Sequence, residues 1–317
     1  MTVAIIRNPA AGGRRGRLCW PAVGAALKSV FPAAEIHETA AAGDAARLAG
    51  EACARGATLV VAVGGDGTIG EVAGGILSSA RPQTAFSLIP AGTGSDFSRN
   101  FAWPAEPMAM AEAIAAAVLR RIDTGRLLRL APDGSTSIRP FVNIASFGVS
   151  GEVVRAMNEG AHRAILPGPV RFQLASIREI LRYRPRSVRV SVDGVEVHRG
   201  PITAIAVANG RFFGGGMQVA PGADLADGMF EIVVLGGASR LRVMTILASL
   251  NGARHLDHPL VSVYRGSTVE VESLAGDGNH ALLDCDGEMF GPVPARFELL
   301  PASLTVKLPA PVGSAVA

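Results

Sequence analysis

Thr58-Leu59-Val60-Val61-Ala62-Val63-Gly64-Gly65-Asp66-Gly67-Thr68 is the stretch that decides the fold. Its first six residues are apolar or β-branched without alternation, the pattern of a parallel strand covered on both faces. The run stops at a glycine pair, where backbone can approach a phosphate closely, and Thr68 and Asp66 then open a helical stretch that reaches about Ser79. Working outward, Val3 to Arg7 and Glu35 to Glu38 read as strands, Arg17 to Val30 and Asp44 to Arg55 as helices. Ala85 to Ile89 is the next strand, and Pro107 to Arg121 a helix with proline near its start. This βαβα order predicts a doubly wound α/β domain over residues 1–125, with ligands at the C-terminal ends of its strands.

Beyond Gly125 the period changes to two. Ser187 to Val192, Asp193-Gly194 and Val195 to His198 form a hairpin signal. Further strands are expected at 138–145, 202–208, 229–235, 260–264, 267–273, 280–284 and 295–300, with helices near 169–182 and 239–250. Residues 126–302 therefore read as a β-rich antiparallel sandwich domain, and 303–317 as a segment that could return to the first domain.

Composition narrows the function classes. Hydrophobic residues are 49% and charged residues 18% of the 317, which excludes a disordered or coiled-coil chain. Mean hydropathy is +0.32, yet charge, Gly or Pro cuts every apolar run before a span of about 18 residues is reached. Without a signal-peptide pattern in MTVAIIRNPA, a cytoplasmic protein is expected. Cys19, Cys53 and Cys285 are too far apart for a metal or disulfide framework. Lys28 and Lys307 are the only lysines, so there is no P-loop, and phosphates must be held by backbone N–H groups, hydroxyls, arginines and metal. Arg14, Arg15 and Arg17 are read as either a phosphate contact or a solvated turn. Aromatic residues are 5% and form no stripe interleaved with arginine, so no nucleic-acid partner is expected. His255 and His258 lack a third ligand and read as loop or strand-start residues.

VGGDGT (Val63 to Thr68), followed by IPAGTGSDFSRN (Ile89 to Asn100), resembles the diacylglycerol kinase catalytic-domain superfamily, and within it the soluble bacterial lipid kinases. Thr39-x-x-x-Gly43-Asp44-Ala45, Ile122 to Gly125, Gly214 to Gly228 and Asp286-Gly287-Glu288 extend the resemblance over nearly the whole chain. It implies an NAD kinase/diacylglycerol kinase-like fold and an ATP- and Mg²⁺-dependent lipid kinase. By the same resemblance Asn8, Thr39, Gly64, Gly65, Asp66, Gly67, Thr68 and Thr93 contact nucleotide, and Asp66, Asp96 and Asp123 organise a hydrated catalytic Mg²⁺. Asp227, with the carbonyls of Asp224 and Met229, would hold a structural Mg²⁺, an Asp-Gly turn being the competing reading. Asp286 is taken as the base and Glu288 as its partner; phosphoryl transfer has a loose transition state, so positioning matters more than basicity. Ser95 stands where many members carry Asn, which bears on nucleotide preference.

The implied acceptor is a lipid hydroxyl, diacylglycerol-like, met at a membrane surface on the inner face and entering a cleft between the domains. Phe101, Trp103, Phe212 and Phe213 are candidates for lining acyl entry, against a core role for each. A homodimer is left open. An NAD kinase is the alternative enzyme, although Asn158-Glu159, the sole pair of the kind it needs, has unsuitable surroundings; an inactive lipid or nucleotide sensor is the alternative outside enzymes.

Overall fold

Residue 64 ends a strand because glycine is required there: a Cβ would sit 2.5 Å from the Cβ of Thr68, so the chain turns directly into a helix. In the computed structural model the described residues are 1–92, 94–131, 134–159, 168–250, 252–274, 276 and 280–312, with the side chains of 13–18, 130, 158 and 168–173 outside the description. The chain forms two compact units, Met1–Asp123 with the segment from Pro301 onward, and Thr124–Leu300.

In the first unit, β1 (Val3–Arg7), α1 (Gly13–Val30), β2 (Glu35–Glu38), α2 (Asp44–Ala54), β3 (Leu59–Gly64), α3 (Asp66–Leu77), β4 (Ala85–Pro90) and α4 (Pro107–Ala116) alternate along the chain. The strands are parallel and ordered β4-β3-β1-β2, with Arg7 beside Glu38 and Val63, and Gly64 beside Pro90. Their C-terminal ends are therefore in line. Leu59 to Gly64 are all buried, as an uninterrupted apolar run requires. α4 stops at Ala116, short of the expected Arg121. The Lys307 ammonium caps the Ala115 and Ala117 carbonyls there, and Arg120 already lies in the next strand.

The second unit is reached through β5 (Arg120–Leu130). It continues with β6 (Thr136–Phe141), β7 (Ile144–Gly148), α5 (Val149–Glu159), α6 (Gly168–Arg182), β8 (Arg186–Val192) and β9 (Val195–Ala208). Two-residue strands β10 (Phe212–Phe213) and β11 (Met217–Gln218) precede β12 (Phe230–Gly236), α7 (Arg240–Ser249), β13 (Val261–Gly266) and β14 (Thr268–Ser273). β15 (Leu282–Cys285), β16 (Glu288–Pro292) and β17 (Ala295–Val306) complete it, β17 running on into the first unit.

Pairing within the second unit is antiparallel, in the order β16-β15-β7-β9-β8-β14-β17, with β12 joining β9 to β13 and β5 joined to β6. A sandwich-like core of Val188, Val190, Ile205, Val207 and Ile232 is closed by stacked Phe141–Phe230 and Phe147–Phe297 pairs. The single strand expected at 138–145 is instead two, β6 and β7, parted at Val142-Asn143. α5 was not expected at all. Among the described residues, no helix is long and apolar enough to cross a membrane.

Candidate functional site

The in-line ends of β1, β2 and β3 gather Asn8, Thr39 and the Gly64–Thr68 loop. The Asn8 N–H donates to the Val63 carbonyl at 2.9 Å, the Thr39 N–H to the Arg7 carbonyl at 2.9 Å, and the Asn8 amide to Thr68 Oγ1 at 3.1 Å. The second glycine-rich loop lies against the first. A Cβ on Gly92 would fall 2.4 Å from Gly65 Cα, so two bare backbones touch here as side chains would not allow. The Ala91 N–H to Gly64 carbonyl bond, 2.8 Å, fixes the contact. This ledge, with the N-terminus of α3 opening onto it, suits phosphate oxygens held without a lysine. Thr93 lies outside the described residues, as do the side chains of Arg14, Arg15 and Arg17.

Asp66 and Asp96 both bring a carboxylate oxygen close to Gly94. A Cβ there would meet Asp66 Oδ2 at 3.1 Å and Asp96 Oδ2 at 3.8 Å. Asp66 Oδ1 accepts the Phe97 N–H at 3.1 Å and so caps the short 3-10 turn Phe97–Asn100, a task that Asp96, in the capping position, leaves to it. Two carboxylates turned toward one spot repel, and a hydrated divalent cation between them removes that cost, so the donor set fits Mg²⁺. Asp123 is buried, and its Oδ1 accepts the Ala302 N–H at 2.6 Å, pinning the returning strand. No group of three His, Cys, Asp or Glu able to hold a metal forms among the described residues, so Asp123 does not close a three-acid cage of direct ligands.

At 224–229 Asp224 accepts the Ala226 N–H and Asp227 the Met229 N–H, each at 3.0 Å, and Asp227 is ion-paired with Arg265. A cation here would have to displace the guanidinium.

In the second unit the turn Asp286-Gly287 joins β15 to β16. The Asp286 carboxylate is clamped: Oδ2 accepts the Val142 N–H at 2.8 Å, and Oδ1 accepts those of Asn143 and Ile144 at 3.1 and 3.0 Å. These bonds break the expected long strand between β6 and β7. Three of roughly four acceptor sites on the carboxylate are thereby used. Glu288 is more open, its side chain 43% exposed and ion-paired with Arg139. Asp286 is thus held by three backbone N–H groups, while the Glu288 carboxylate, paired with Arg139, stays partly open to solvent.

The sequence marks Asp284 only as the last residue of an expected strand. It is fully buried, with Oδ2 accepting from Ser146 Oγ at 2.9 Å and Oδ1 from the Gly287 N–H at 2.8 Å. Burial pushes its carboxyl up to about 7; the Ser146 and Gly287 bonds oppose this, and the charges of Asp286 and Glu288 add to it. Ser146 also meets Ser150 Oγ at 2.8 Å. Both serines lie in the wall of an apolar cavity of about 120 Å³ that Val149, Ile180, Phe213 and Leu247 also line. The signal available in the sequence was an aspartate inside an otherwise apolar strand, where aspartate is rare.

Of the four aromatic candidates Phe213 lines that cavity and Phe212 is half-buried on β10. Phe101 and Trp103 take the core role that stood beside acyl entry: Phe101 is buried, packed edge-on against Phe97, and Trp103 packs on the first unit's core. His255 is a core residue bonded to the Val219 carbonyl at 2.9 Å.

Residues 2–127 match the family model "Diacylglycerol kinase catalytic domain", and residues 143–308 match "YegS C-terminal NAD kinase beta sandwich-like domain". A diacylglycerol kinase of Mycobacterium tuberculosis is 31% identical over 268 residues, 84% of this chain and 82% of that protein. A Chromohalobacter salexigens protein named "Probable lipid kinase YegS-like" is 31% identical over 276 residues, 86% and 83% of the two chains. Among solved structures, a diacylglycerol kinase from Bacillus anthracis superposes with TM-score 0.70 at 20% identity, covering 97% of this chain and 96% of that one. An ATP-bound NAD kinase from Archaeoglobus fulgidus gives 0.51 at 16%, covering 96% and 93%, a likeness of fold.

Proposed function

The chain belongs to the diacylglycerol kinase family of lipid kinases, with a YegS-type C-terminal domain, and from that premise we propose that it moves the γ-phosphate of ATP, with Mg²⁺, onto the hydroxyl of a diacylglycerol-like lipid. The observation that carries the reading is the glycine ledge: backbone of Gly65 against Gly92, with Asp66 and Asp96 close to Gly94.

Asn8, Thr39 and the Gly64–Thr68 loop would bind the nucleotide through backbone N–H groups and hydroxyls. Asp66 and Asp96 would hold Mg²⁺ through its water shell, where it supplies positive charge to the phosphates. Glu288 would orient the acceptor hydroxyl and take its proton as the new P–O bond forms and the bond to ADP breaks. A carboxylate suffices because the proton leaves late in a loose transition state. Asp286 fixes the turn that carries Glu288, and the apolar cavity beside Ser146 and Ser150 would take part of an acyl chain. NAD kinase, the alternative enzyme, has no support among the relatives named, both of which carry lipid-kinase names.

The test is transfer of label from γ-labelled ATP with Mg²⁺ to a panel of diacylglycerol, phosphatidylglycerol, a sphingoid base, a polyprenol and NAD. Label in the organic phase, abolished by EDTA and identified by product mass, is expected. Label on NAD alone would overturn the reading.

A further inference from the structure

Asp284 is an ionisable group where the fold asks for none. Its two hydrogen-bond partners, the Ser146 hydroxyl and the Gly287 N–H, would be met as well by the amide and oxygen of asparagine. Among the described residues Asp284 makes no ion pair, and it is fully buried. A carboxyl held in that setting, beside a turn that carries two more carboxylates, is a mark of function rather than of stability.

The Gly287 bond is the one that reaches the site. β15 and β16 are joined by a two-residue turn, with Asp286 at φ 49° and Gly287 at φ 84°. The strand ladder pairs Cys285 with Glu288, and a turn of this kind leaves its second central N–H outside the ladder. That N–H, of Gly287, donates to Asp284 Oδ1 at 2.8 Å. Asp286 is fixed by other means, its carboxylate by three backbone N–H groups and its own N–H by the Ile144 carbonyl at 3.1 Å. Glu288 follows Gly287 directly, so Asp284 holds the last turn N–H before the Glu288 carboxylate.

The charged groups that face Asp284 are Asp286 and Glu288 on its own hairpin, and both disfavour its ionised form. β7 brings Ser146 and α5 brings Ser150, neither of which titrates; Glu152 of α5 and Arg139 of β6 are held in ion pairs with Arg155 and Glu288. The adjacent Cys285 thiol is pushed up by burial and stays neutral. With Asp284 lifted by burial to about 7, both of its states are populated near neutral pH. Ionised, it accepts from Ser146 Oγ; protonated, it donates there, and the Ser146 proton turns to Ser150 Oγ at 2.8 Å. Both states keep the Gly287 bond, but the ionised one makes it charge-assisted and about twice as strong.

We propose that Asp284 is a positioning residue for phosphoryl transfer: its carboxylate seats the Asp286-Gly287 turn through the Gly287 N–H and so sets the place of the Glu288 carboxylate. The assignment rests on the reading of Glu288 as the group that meets the acceptor. Asp284 itself touches no substrate, and a small displacement of the turn is enough to slow the transfer.

The test follows turnover of a short-chain diacylglycerol with ATP and Mg²⁺ across neutral pH. The native kcat should rise about tenfold through a midpoint at about 7, the gain expected when a neutral hydrogen bond becomes charge-assisted. Asp284→Asn should stay at the lower level throughout, with the KM for ATP unchanged. Ser146→Ala should move the midpoint upward, because the Ser146 bond favours the ionised carboxyl. A side chain that merely filled the core would shift no midpoint. Independently of turnover, NMR of the full chain with isotope-labelled glycine should show the Gly287 amide titrating with the same midpoint, and fixed in Asp284→Asn. A native pH profile in Asp284→Asn, or an unmoved midpoint in Ser146→Ala, would overturn the proposal. So would turnover by a native chain whose Gly287 amide does not titrate. A titrating amide with no turnover on any acceptor would strike the functional reading alone.

Discussion

Replacing Asp284 by Asn isolates one charge that the fold holds at a cost. The ordinary carboxyl value is 3.8, and burial lifts this one to about 7. Because the folded chain holds the proton more tightly than the unfolded chain, stability falls as pH rises from about 4 to about 7 and is level above that. The difference, about three pKa units at about 1.4 kcal/mol each, makes the ionised group unfavourable by about 4 kcal/mol at the alkaline plateau. Asparagine removes the ionisation and keeps the bonds. Its oxygen accepts the Gly287 N–H, and its amide donates to Ser146 Oγ, freeing the Ser146 proton for Ser150. Asp284→Asn should therefore be near neutral below about pH 4, stabilising by about 1.5 kcal/mol at about pH 5 and by about 4 kcal/mol at about pH 8. Urea unfolding of the native chain and the variant across that range gives the difference directly, other titrating groups cancelling between them. A difference that stays level with pH would refute the reasoning, for it would mean that Asp284 ionises alike in the folded and the unfolded chain.

Gly92→Ala drives a Cβ to 2.4 Å from Gly65 Cα, and nucleotide affinity should fall about tenfold or more, read by titration with a fluorescent ATP analogue. Asp66→Asn keeps an acceptor for the Phe97 N–H but loses the charge facing Gly94, so Mg²⁺-dependent turnover should drop about 10²–10³-fold with little change in melting temperature. Glu288→Gln and Asp286→Asn should separate: the first lowers turnover about 10²–10⁴-fold with melting unchanged. The second also destabilises the fold by about 2 kcal/mol, because an amide cannot accept from all three clamped N–H groups. Steady-state kinetics beside thermal melts distinguish them.

The α/β half was legible because its signals are local. An unbroken β-branched run and a glycine pair declare a buried strand and the turn after it, and Leu59–Gly64 and Asp66–Leu77 follow. The two glycine loops could be read as a phosphate site, but not that they touch, which depends on the pairing of β3 with β4. In the other half the decisive events are distant in sequence. The break at Val142-Asn143 is made by Asp286, far downstream, and nothing in the intervening residues announces it. α5 follows β7 with only Gly148, the strand's own last residue at φ 106°, to mark the change, and no loop separates the strand from Val149–Glu159. The burial of Asp284 and the exposure of Leu174, Ile177 and Leu181 are properties of packing, and composition holds neither.

The strand β17 gives the first unit the strand that covers the outer edge of β4. Val306 pairs with Phe86 of β4, the Lys307 N–H donates to the Phe86 carbonyl at 2.8 Å, and Ser87 Oγ donates to the Lys307 carbonyl at 2.7 Å. During synthesis β4 leaves the ribosome more than two hundred residues before its neighbour. Until then its outer edge is an unpaired row of peptide groups, open to any passing strand. The unit that emerges first is thus the one that closes last, and a chain arrested anywhere in the β-rich half would present this edge to chaperones and proteases.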